Sequence, residues 1–159
     1  MFKPGDAVVH PSHGAGYIYS IEERIIVGES KKYYKIAMIT SSLQYVMVPI
    51  DFVDKIGIRK IHDESKIDAL LDTLNDDYNK VISYTNWNEF NRLNIARLRS
   101  GNLYEVVKLY KILNTLGKTK KLGIRDTEML SKAKLMIISE LIACKNISYK
   151  DADILLKTA

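Results

Sequence analysis

The residues whose types and spacing could do chemistry lie around Trp87, the only tryptophan in the 159-residue sequence. Asn86 precedes it, and Glu89 follows Asn86 by three positions, which is the spacing of a capping box at the start of a helix. Trp87 would then be the first helical residue, at the rim of the helix, where its ring cannot easily point into a core. The free N–H groups and the partial positive charge of the same helix end would favour a bound phosphate.

Three arginines follow Trp87 on the same predicted helix: Arg92, Arg97 and Arg99. A large flat ring, a helix N-terminus and guanidinium groups within a few turns are typical of a nucleic-acid contact. The alternative is that the tryptophan packs between two helices, as single tryptophans at helix starts usually do. The residue types alone leave both interpretations open.

The charge of the chain is concentrated in the segment that begins with Trp87. The formal net charge of the chain is +5, but residues 87–125 contain nine basic and two acidic side chains, a net charge of +7. Residues 61–86 contain two basic and six acidic side chains, a net charge of −4. A concentrated basic stretch is the electrostatic footprint of a polyanion-binding protein. The alternative is an ordinary solvated helical surface.

Short strands and tight turns dominate residues 1–60. Tyr17, Tyr19 and Ile21 occupy alternate positions, which predicts a β-strand with these three side chains on one face. The segment 28–31 is predicted to be a hairpin connection. The predicted strands cover residues 7–10, 16–27, 32–40 and 43–48. Several short strands at close spacing predict a small, strongly bent antiparallel sheet or barrel.

Residues 61–159 have the apolar period and the end signals of helices. Four side chains suited to N-cap positions precede apolar helical patterns: Asp63, Asn86, Asn102 and Ser148. Gly101 stands where a C′ glycine would end the helix of Trp87. The predicted helices begin near 63, cover 87–99, run from 103 to near 117, cover about 124–144, and follow 148. The sequence therefore predicts an α+β protein, with a β module at residues 1–60 and a helical module at residues 61–159.

Other kinds of chemistry are not indicated. His10 and His13 flank a proline turn with no third ligand close in sequence, so we predict no metal site and no cofactor. Nucleotide-binding glycine motifs and the HExxH pattern do not occur, and we expect that the protein is not an enzyme. The single cysteine, Cys144, lies in an apolar pattern and is predicted to be buried. No apolar run approaches the roughly 18 residues of a membrane span, and no signal peptide is visible, so we expect a cytoplasmic protein without membrane association.

Short motifs stand in a distinctive order along the chain. They read FKPGDAVVHPSHGAG at 2–16, VMVP at 46–49, VDKIGIR at 53–59, TNW at 85–87 and LRSGN at 98–102. In their order and spacing these motifs resemble those of the CarD/CdnL family of bacterial transcription regulators. The resemblance covers nearly the whole chain.

The resemblance implies a fold and a function. The β module is similar to the polymerase-interacting domain of the transcription–repair coupling factor, which is Tudor/SH3-like. It would dock on the β subunit of bacterial RNA polymerase by extending a sheet edge. A compact module of about five helices would reach promoter DNA at the upstream edge of the melted bubble and prolong the open complex. We expect a monomer that joins the nucleoid through polymerase. The alternative is an adaptor that docks on polymerase without touching DNA.

The resemblance also implies which residues make each contact. Arg24 matches a family arginine at the polymerase contact, and it forms the predicted polymerase-binding set with Ile26 and Met47. Met47 stands where some relatives carry a second arginine. Trp87 matches the family tryptophan that wedges into the minor groove at the melted junction without reading sequence. The predicted DNA-binding residues are Trp87, Arg92, Arg97, Arg99, Lys121 and Arg125, with the Lys118–Lys121 loop as a further source of charge.

Overall fold

The computed structural model describes residues 1–75 and 86–159. Thr85, the first residue of the TNW motif, lies outside the described residues. The N-terminal part is one antiparallel sheet with the strand order β4-β3-β2-β1-β5. The strands are β1 (Ala7–His10), β2 (Gly14–Ile26), β3 (Glu29–Met38), β4 (Tyr45–Pro49) and β5 (Arg59–Lys60). The predicted β architecture at the start of an α+β chain is therefore confirmed.

One face of the sheet covers a small apolar core. Its buried members come from β1 to β4 and from the residue before β5: Val8, Ile18, Tyr34, Ile36, Val48 and Ile58. Alternation along β3 sends Tyr34 and Ile36 into this core, while Lys35 between them faces outward. Side chains opposite one another in an antiparallel pair share a face. The register therefore shows which residues lie on the outer face of the sheet.

A β-bulge at Tyr19 interrupts the alternation along β2. Ile18 pairs with Ile36, but Ser20 pairs with Lys35, so Tyr19 is the extra residue. Ile21 then pairs with the core residue Tyr34. The prediction that Tyr17, Tyr19 and Ile21 share one face was wrong beyond Tyr19, because an extra residue shifts the period of 2 by one position.

The turn between β2 and β3 is a two-residue hairpin loop made by Val27 and Gly28. Both residues have positive φ angles, 51° and 77°, as a type I′ turn requires. Strand β3 resumes at Glu29 and pairs it with Ile26. The predicted connection at 28–31 was therefore placed too far along the chain, because Gly28 takes the second position of the turn.

Helices make up most of the remainder of the described chain. They are α1 (Val53–Ile56), α2 (Glu64–Asp72), α3 (Trp87–Arg99), α4 (Leu103–Thr119), α5 (Ile124–Lys145) and α6 (Tyr149–Thr158), with 3₁₀ turns at Ile50–Phe52 and Thr73–Asn75. The side chains of Asp63, Asn86, Asn102 and Ser148 each accept a hydrogen bond from an amide of the first turn. All four predicted N-caps are confirmed. Gly101 has a φ of 70°, which confirms the predicted C′ glycine. No described helix is long and apolar enough to cross a membrane.

The helical core lies between α4 and α5. Its fully buried side chains include Leu109, Ile112 and Leu113 of α4, and Ile137 and Ile138 of α5. The spacing of three and four residues in α4, and of four residues in α5 from Met129 through Ala133 and Ile137 to Leu141, places an apolar stripe on one face of each helix. The helical part therefore has a core of its own, separate from that of the sheet.

A buried carboxylate joins the sheet to the helices. Glu140 of α5 is 1 % exposed. Its two oxygens accept hydrogen bonds from the Arg59 guanidinium at 2.8 and 2.9 Å, and one of them also accepts the His62 backbone N–H at 2.9 Å. Arg59 Nε donates to the Gly101 carbonyl at 2.9 Å. Burial alone would raise the pKa of Glu140, but the bonds from Arg59 and His62 hold the pKa of this carboxyl below its ordinary value.

A second contact packs the β1–β2 turn against α5. The Ala15 amide donates to Ser139 Oγ at 2.8 Å, and Thr40 Oγ1 donates to the Leu135 carbonyl at 2.9 Å. Gly14 lies so close to α5 that an added Cβ would be 2.6 Å from Ser139 Oγ. Together with the Arg59–Glu140 pair, these contacts fix the sheet relative to the helices.

Candidate nucleic-acid interface

Helix α3 begins as its capping residues predict. Asn86 is extended (φ −119°, ψ 104°), and its Oδ1 accepts hydrogen bonds from the amides of Asn88 and Glu89 at 3.1 and 3.3 Å. Trp87 is therefore the first helical residue. The Glu89 carboxylate lies 3.9 Å from the Arg92 guanidinium, and no hydrogen bond from the Asn86 amide to Glu89 is found among the described residues. Only the asparagine half of the predicted capping box is formed.

The Trp87 side chain rests on the helical core without entering it. It is 46 % exposed. Its ring stacks on that of Phe90, with centroids 4.9 Å apart and planes inclined by 24°. Phe90 is 1 % exposed, so it supports the tryptophan from the core side. The Trp87 ring therefore packs against a residue of its own helix and still presents about half of its surface, and its contact with nucleic acid stays a prediction.

A cation from another element lies over this ring. Lys120 Nζ lies 4.2 Å from the centroid of the Trp87 ring. Lys120 follows the last residue of α4, in the basic segment Lys118–Lys121 that was predicted to be a loop. The first two residues of that segment instead belong to the last turn of α4. Lys120 was not among the individual residues predicted to bind DNA. The run of lysines indicated a basic segment. No local sequence pattern, however, indicates that Lys120 contacts Trp87, which lies 33 positions earlier.

The remaining predicted DNA-binding cations differ in their surroundings. Arg92 has a side chain that is 73 % exposed, and Arg99, Lys121 and Arg125 are exposed. Arg92 and Arg99 are seven residues apart and lie on one side of α3, but Arg92 is turned about 140° from Trp87 around the helix axis at 3.6 residues per turn. These four residues stay predicted contacts.

Arg97 is placed in an internal network. Its side chain is 12 % exposed, and its Nε lies 3.5 Å from Glu105 Oε2 of α4. Its Nη1 donates to the buried Asn94 Oδ1 at 2.9 Å. The sequence prediction grouped Arg97 with the other arginines as a DNA-binding residue because of its charge. Its position on the helix, however, turns its side chain toward α4. The guanidinium of Arg97 therefore joins two helices and does not present a free charge.

The predicted polymerase-binding residues lie on the sheet. One of them, Arg24, is linked through Glu22 to a second cation, Lys35. Arg24 pairs with Lys31 near the hairpin tip, and Met47 pairs with Lys35 on the outer face. Glu22 lies between them, 3.4 Å from Arg24 Nη2 and 3.3 Å from Lys35 Nζ. The Lys35 ammonium, and then the Arg24 guanidinium, hold the pKa of Glu22 below its usual value. Ile26, next to the turn, is 44 % exposed.

An exposed aromatic pair lies beside Met47 and was missed from the sequence. The rings of Tyr19 and Tyr45 are 5.4 Å apart. Lys35 Nζ lies 4.6 Å from the Tyr45 centroid and 5.4 Å from the Tyr19 centroid. Tyr19 reaches this position as the extra residue of the bulge, which the alternation of residue types does not reveal. Strand β4, which carries Tyr45 and Met47, is also an edge of the sheet, where a further strand could pair.

Metal binding finds no support in the described part of the chain. Residues 1–75 and 86–159 contain no group of three or more His, Cys, Asp or Glu side chains that could hold a metal ion. His10 and His13 have ring centroids 4.6 Å apart. The His10 Nδ1 accepts the Ser12 amide at 3.0 Å, so this histidine takes part in the turn itself.

The fold is that of a class of protein in which a small antiparallel β domain precedes a helical domain. Residues 2–62 match the CarD-like/TRCF RID domain, and residues 69–157 match the CarD C-terminal domain. The chain belongs to the CarD family. It is 29 % identical, over 150 residues, to YdeB of Bacillus subtilis (strain 168), a protein named provisionally as a transcription factor. That match covers 94 % of this chain and 96 % of YdeB.

Proposed function

We propose that the protein is a transcription regulator that binds the β subunit of bacterial RNA polymerase and contacts promoter DNA at the upstream edge of the melted bubble. Family membership and the name of the relative support the general class. The observation that carries the DNA contact is the half-exposed ring of Trp87 at a capped helix start, beside a lysine. The result of this contact is a more stable open complex.

A wedge of this kind acts through a difference between melted and closed DNA. At a fork, the last base pair has lost a neighbour, and an inserted ring regains roughly 1–3 kcal/mol per stacked base. In intact duplex the same ring must first unstack one base-pair step, at a cost of a few kcal/mol. Even ~1.4 kcal/mol of preference changes the ratio of open to closed complexes about tenfold.

The junction between the modules allows this DNA contact to be weak. Arg59 and Glu140, with Ser139 against the β1–β2 turn, hold the helices in a fixed position relative to the sheet. Docking of the sheet on polymerase then delivers Trp87 to DNA at a high effective concentration. A weak DNA contact is sufficient under these conditions.

The second candidate function is an adaptor that docks on polymerase and uses its helices to bind another protein. Exposed apolar side chains on α6 favour it: Tyr149 is 47 % exposed and Ile154 is 48 % exposed. The two candidates differ in salt dependence. Phosphate contacts give a steep fall of fork-DNA affinity with salt concentration, and protein contacts need not.

The test of the DNA contact is Trp87→Ala. We expect the lifetime of open complexes under competitor challenge to fall about tenfold toward the value without the protein, the factor that ~1.4 kcal/mol represents. Binding to the β subunit should be unchanged. Because the ring is 46 % exposed, the loss of unfolding free energy should be about 1–2 kcal/mol, less than the roughly 3–5 kcal/mol of a core tryptophan.

Two further variants control this experiment. Trp87→Phe should keep part of the lifetime effect, since a smaller ring still stacks. Tyr104→Ala removes another aromatic side chain, 41 % exposed at the start of α4, and should leave the lifetime unchanged. A Trp87→Ala protein that prolongs open complexes as well as the parent would refute the wedge.

A further inference from the structure

The side chain of Lys120 occupies the surface of Trp87 that a nucleic-acid base would need. Phe90 is 1 % exposed and supports the indole from the core side, with centroids 4.9 Å apart. Lys120 is exposed, and its ammonium lies 4.2 Å from the indole centroid, so it approaches from solvent. A base that stacks on the open face of Trp87 must therefore displace the Lys120 ammonium.

The backbone of Lys120 is held by a hydrogen bond, and its side chain is exposed. The Lys120 amide donates to the Leu116 carbonyl at 3.1 Å and ends α4. The residue itself is extended, with φ −149° and ψ 160°. Among the described residues, the Trp87 ring is the only contact found for the Lys120 ammonium. A displaced ammonium would stay within one side-chain length of the indole.

The exchange is favourable on general grounds. A cation above an exposed aromatic face is held less strongly than a base stacked on the same face. The ammonium that leaves gains a phosphate partner, since every stacked base carries a phosphate with it. Neither Lys118 nor Lys121 shares this arrangement. Lys118 lines a separate groove of about 450 Å³ with Tyr110 and Lys134.

We propose that Lys120 is a DNA-contacting residue that rests on Trp87 in the free protein and moves to the backbone phosphate beside the base that replaces it. This inference rests on the proposed function of Trp87 and adds Lys120 as the residue that covers its ring before DNA binds. In the free protein, the lysine shields the exposed apolar face. In the complex, the same charge holds the strand whose base has stacked.

The resting contact can be measured in the free protein, because Trp87 is the only tryptophan in the sequence and reports alone. Acrylamide quenching of its fluorescence should increase in Lys120→Ala. It should be unchanged in Lys118→Ala, the matched control two residues earlier in the last turn of α4. Equal increases in both variants, or no increase in Lys120→Ala, would overturn the contact.

The contact with phosphate is tested on polymerase–promoter complexes with Lys120→Met, which keeps the length and removes the charge. The open-complex lifetime should fall about two- to fivefold, the factor equivalent to one exposed charge contact. For a forked duplex alone, the slope of log affinity against log salt concentration should become shallower by about 0.9. Lys120→Arg should retain the lifetime, and Lys118→Met should change it less than Lys120→Met.

A lifetime in Lys120→Met that equals or exceeds that of the parent would overturn the proposal, since a lysine that only covers the ring would lengthen the lifetime when removed. Failure of the proposed function looks different. In that case the parent protein itself does not prolong open complexes, and Trp87→Ala has no effect, whatever the quenching experiment shows.

Discussion

At the scale of single residues, Glu22 matches two cations on the outer face of the sheet. Glu22 is 3.4 Å from Arg24 and 3.3 Å from Lys35, and Lys35 in turn lies over the rings of Tyr19 and Tyr45. Exposed pairs of this kind contribute little to stability because water screens both charges. These pairs therefore do more to order the outer surface of the sheet than to hold the fold.

Arg24→Glu tests this surface. The Arg24 side chain is 55 % exposed, so the reversal should change the free energy of unfolding by no more than about 0.5 kcal/mol. Binding to the polymerase β subunit should weaken, because an acidic surface would then repel the variant. Lys150→Glu, an exposed reversal on α6, is the control that should bind as the parent does. Co-purification of Arg24→Glu with the β subunit at the parental level would contradict the predicted docking face.

Histidine burial predicts a loss of stability in mild acid. Burial, and then the charge of His13, lowers the pKa of His10 from 6.5 to about 4. Burial, and then Lys132, lowers the pKa of His13. Between pH 6.5 and about 4, the unfolded chain binds a proton on His10 that the folded chain does not, so stability falls as the pH falls through this window.

His10→Gln removes this titration. The variant should lose less unfolding free energy than the parent between pH 6.5 and 4.5, and carboxyl groups that titrate near the lower end of this range do so in both proteins and cancel in the comparison. Denaturant unfolding at pH 7, 6, 5 and 4.5 measures the difference between the two slopes. Parallel pH profiles for the parent and the variant would show that His10 is not the group responsible.

At the scale of elements, helix ends and the hairpin turn follow local rules, with one exception at Val27. A β-branched residue at a φ of 51° is unusual, since positive φ angles suit glycine and asparagine. Gly28, at a φ of 77°, follows those preferences. In this turn Gly28 therefore has a favourable backbone conformation, and Val27 has a strained one.

Val27→Asn should relieve this strain. Asn-Gly is the preferred pair for a type I′ turn, and removing the strain should raise the free energy of unfolding by about 0.5–1 kcal/mol. Gly28→Ala is the opposite control. Nothing lies within 4 Å of an added Cβ at Gly28, so any destabilisation must come from the backbone. Denaturant midpoints that do not differ between Val27→Asn and the parent would contradict the assignment of strain.

At the scale of the whole molecule, the orientation of sheet and helices depends on close contact at α5. Gly14 has a φ of +80°, and an added Cβ would be 2.6 Å from Ser139 Oγ and 3.3 Å from Met136 Cα. Gly5 has a φ of +94°, with nothing within 4 Å of an added Cβ. The two glycines thus share a backbone conformation and differ in what surrounds them.

Gly14→Ala should therefore destabilise the protein more than Gly5→Ala. Both variants bear the strain of a left-handed backbone, but only Gly14→Ala must also push α5 away, at a further cost of about 1–3 kcal/mol. Chemical denaturation of both variants gives the difference directly. Equal losses in the two variants would mean that the junction is looser than these distances indicate.

The sequence by itself determined the features that depend on neighbours a few residues apart. The N-caps Asp63, Asn86, Asn102 and Ser148 could be predicted because each bond spans two or three residues. Helix α3 begins and ends at the predicted residues, and the α+β order follows from the change of apolar period. The family motifs were also readable, since they consist of residue types in order.

Only the tertiary structure decided which distant side chains meet. Lys120 reaches Trp87, Arg59 reaches Glu140 across 81 positions, and Arg97 turns inward to Glu105. The bulge at Tyr19 likewise depends on its partner strand. Such contacts are set by how loops close and how strands and helices register, and a pattern of residue types constrains these only weakly. The predicted cations could therefore be counted from the sequence, but the one that lies on the tryptophan could not be chosen.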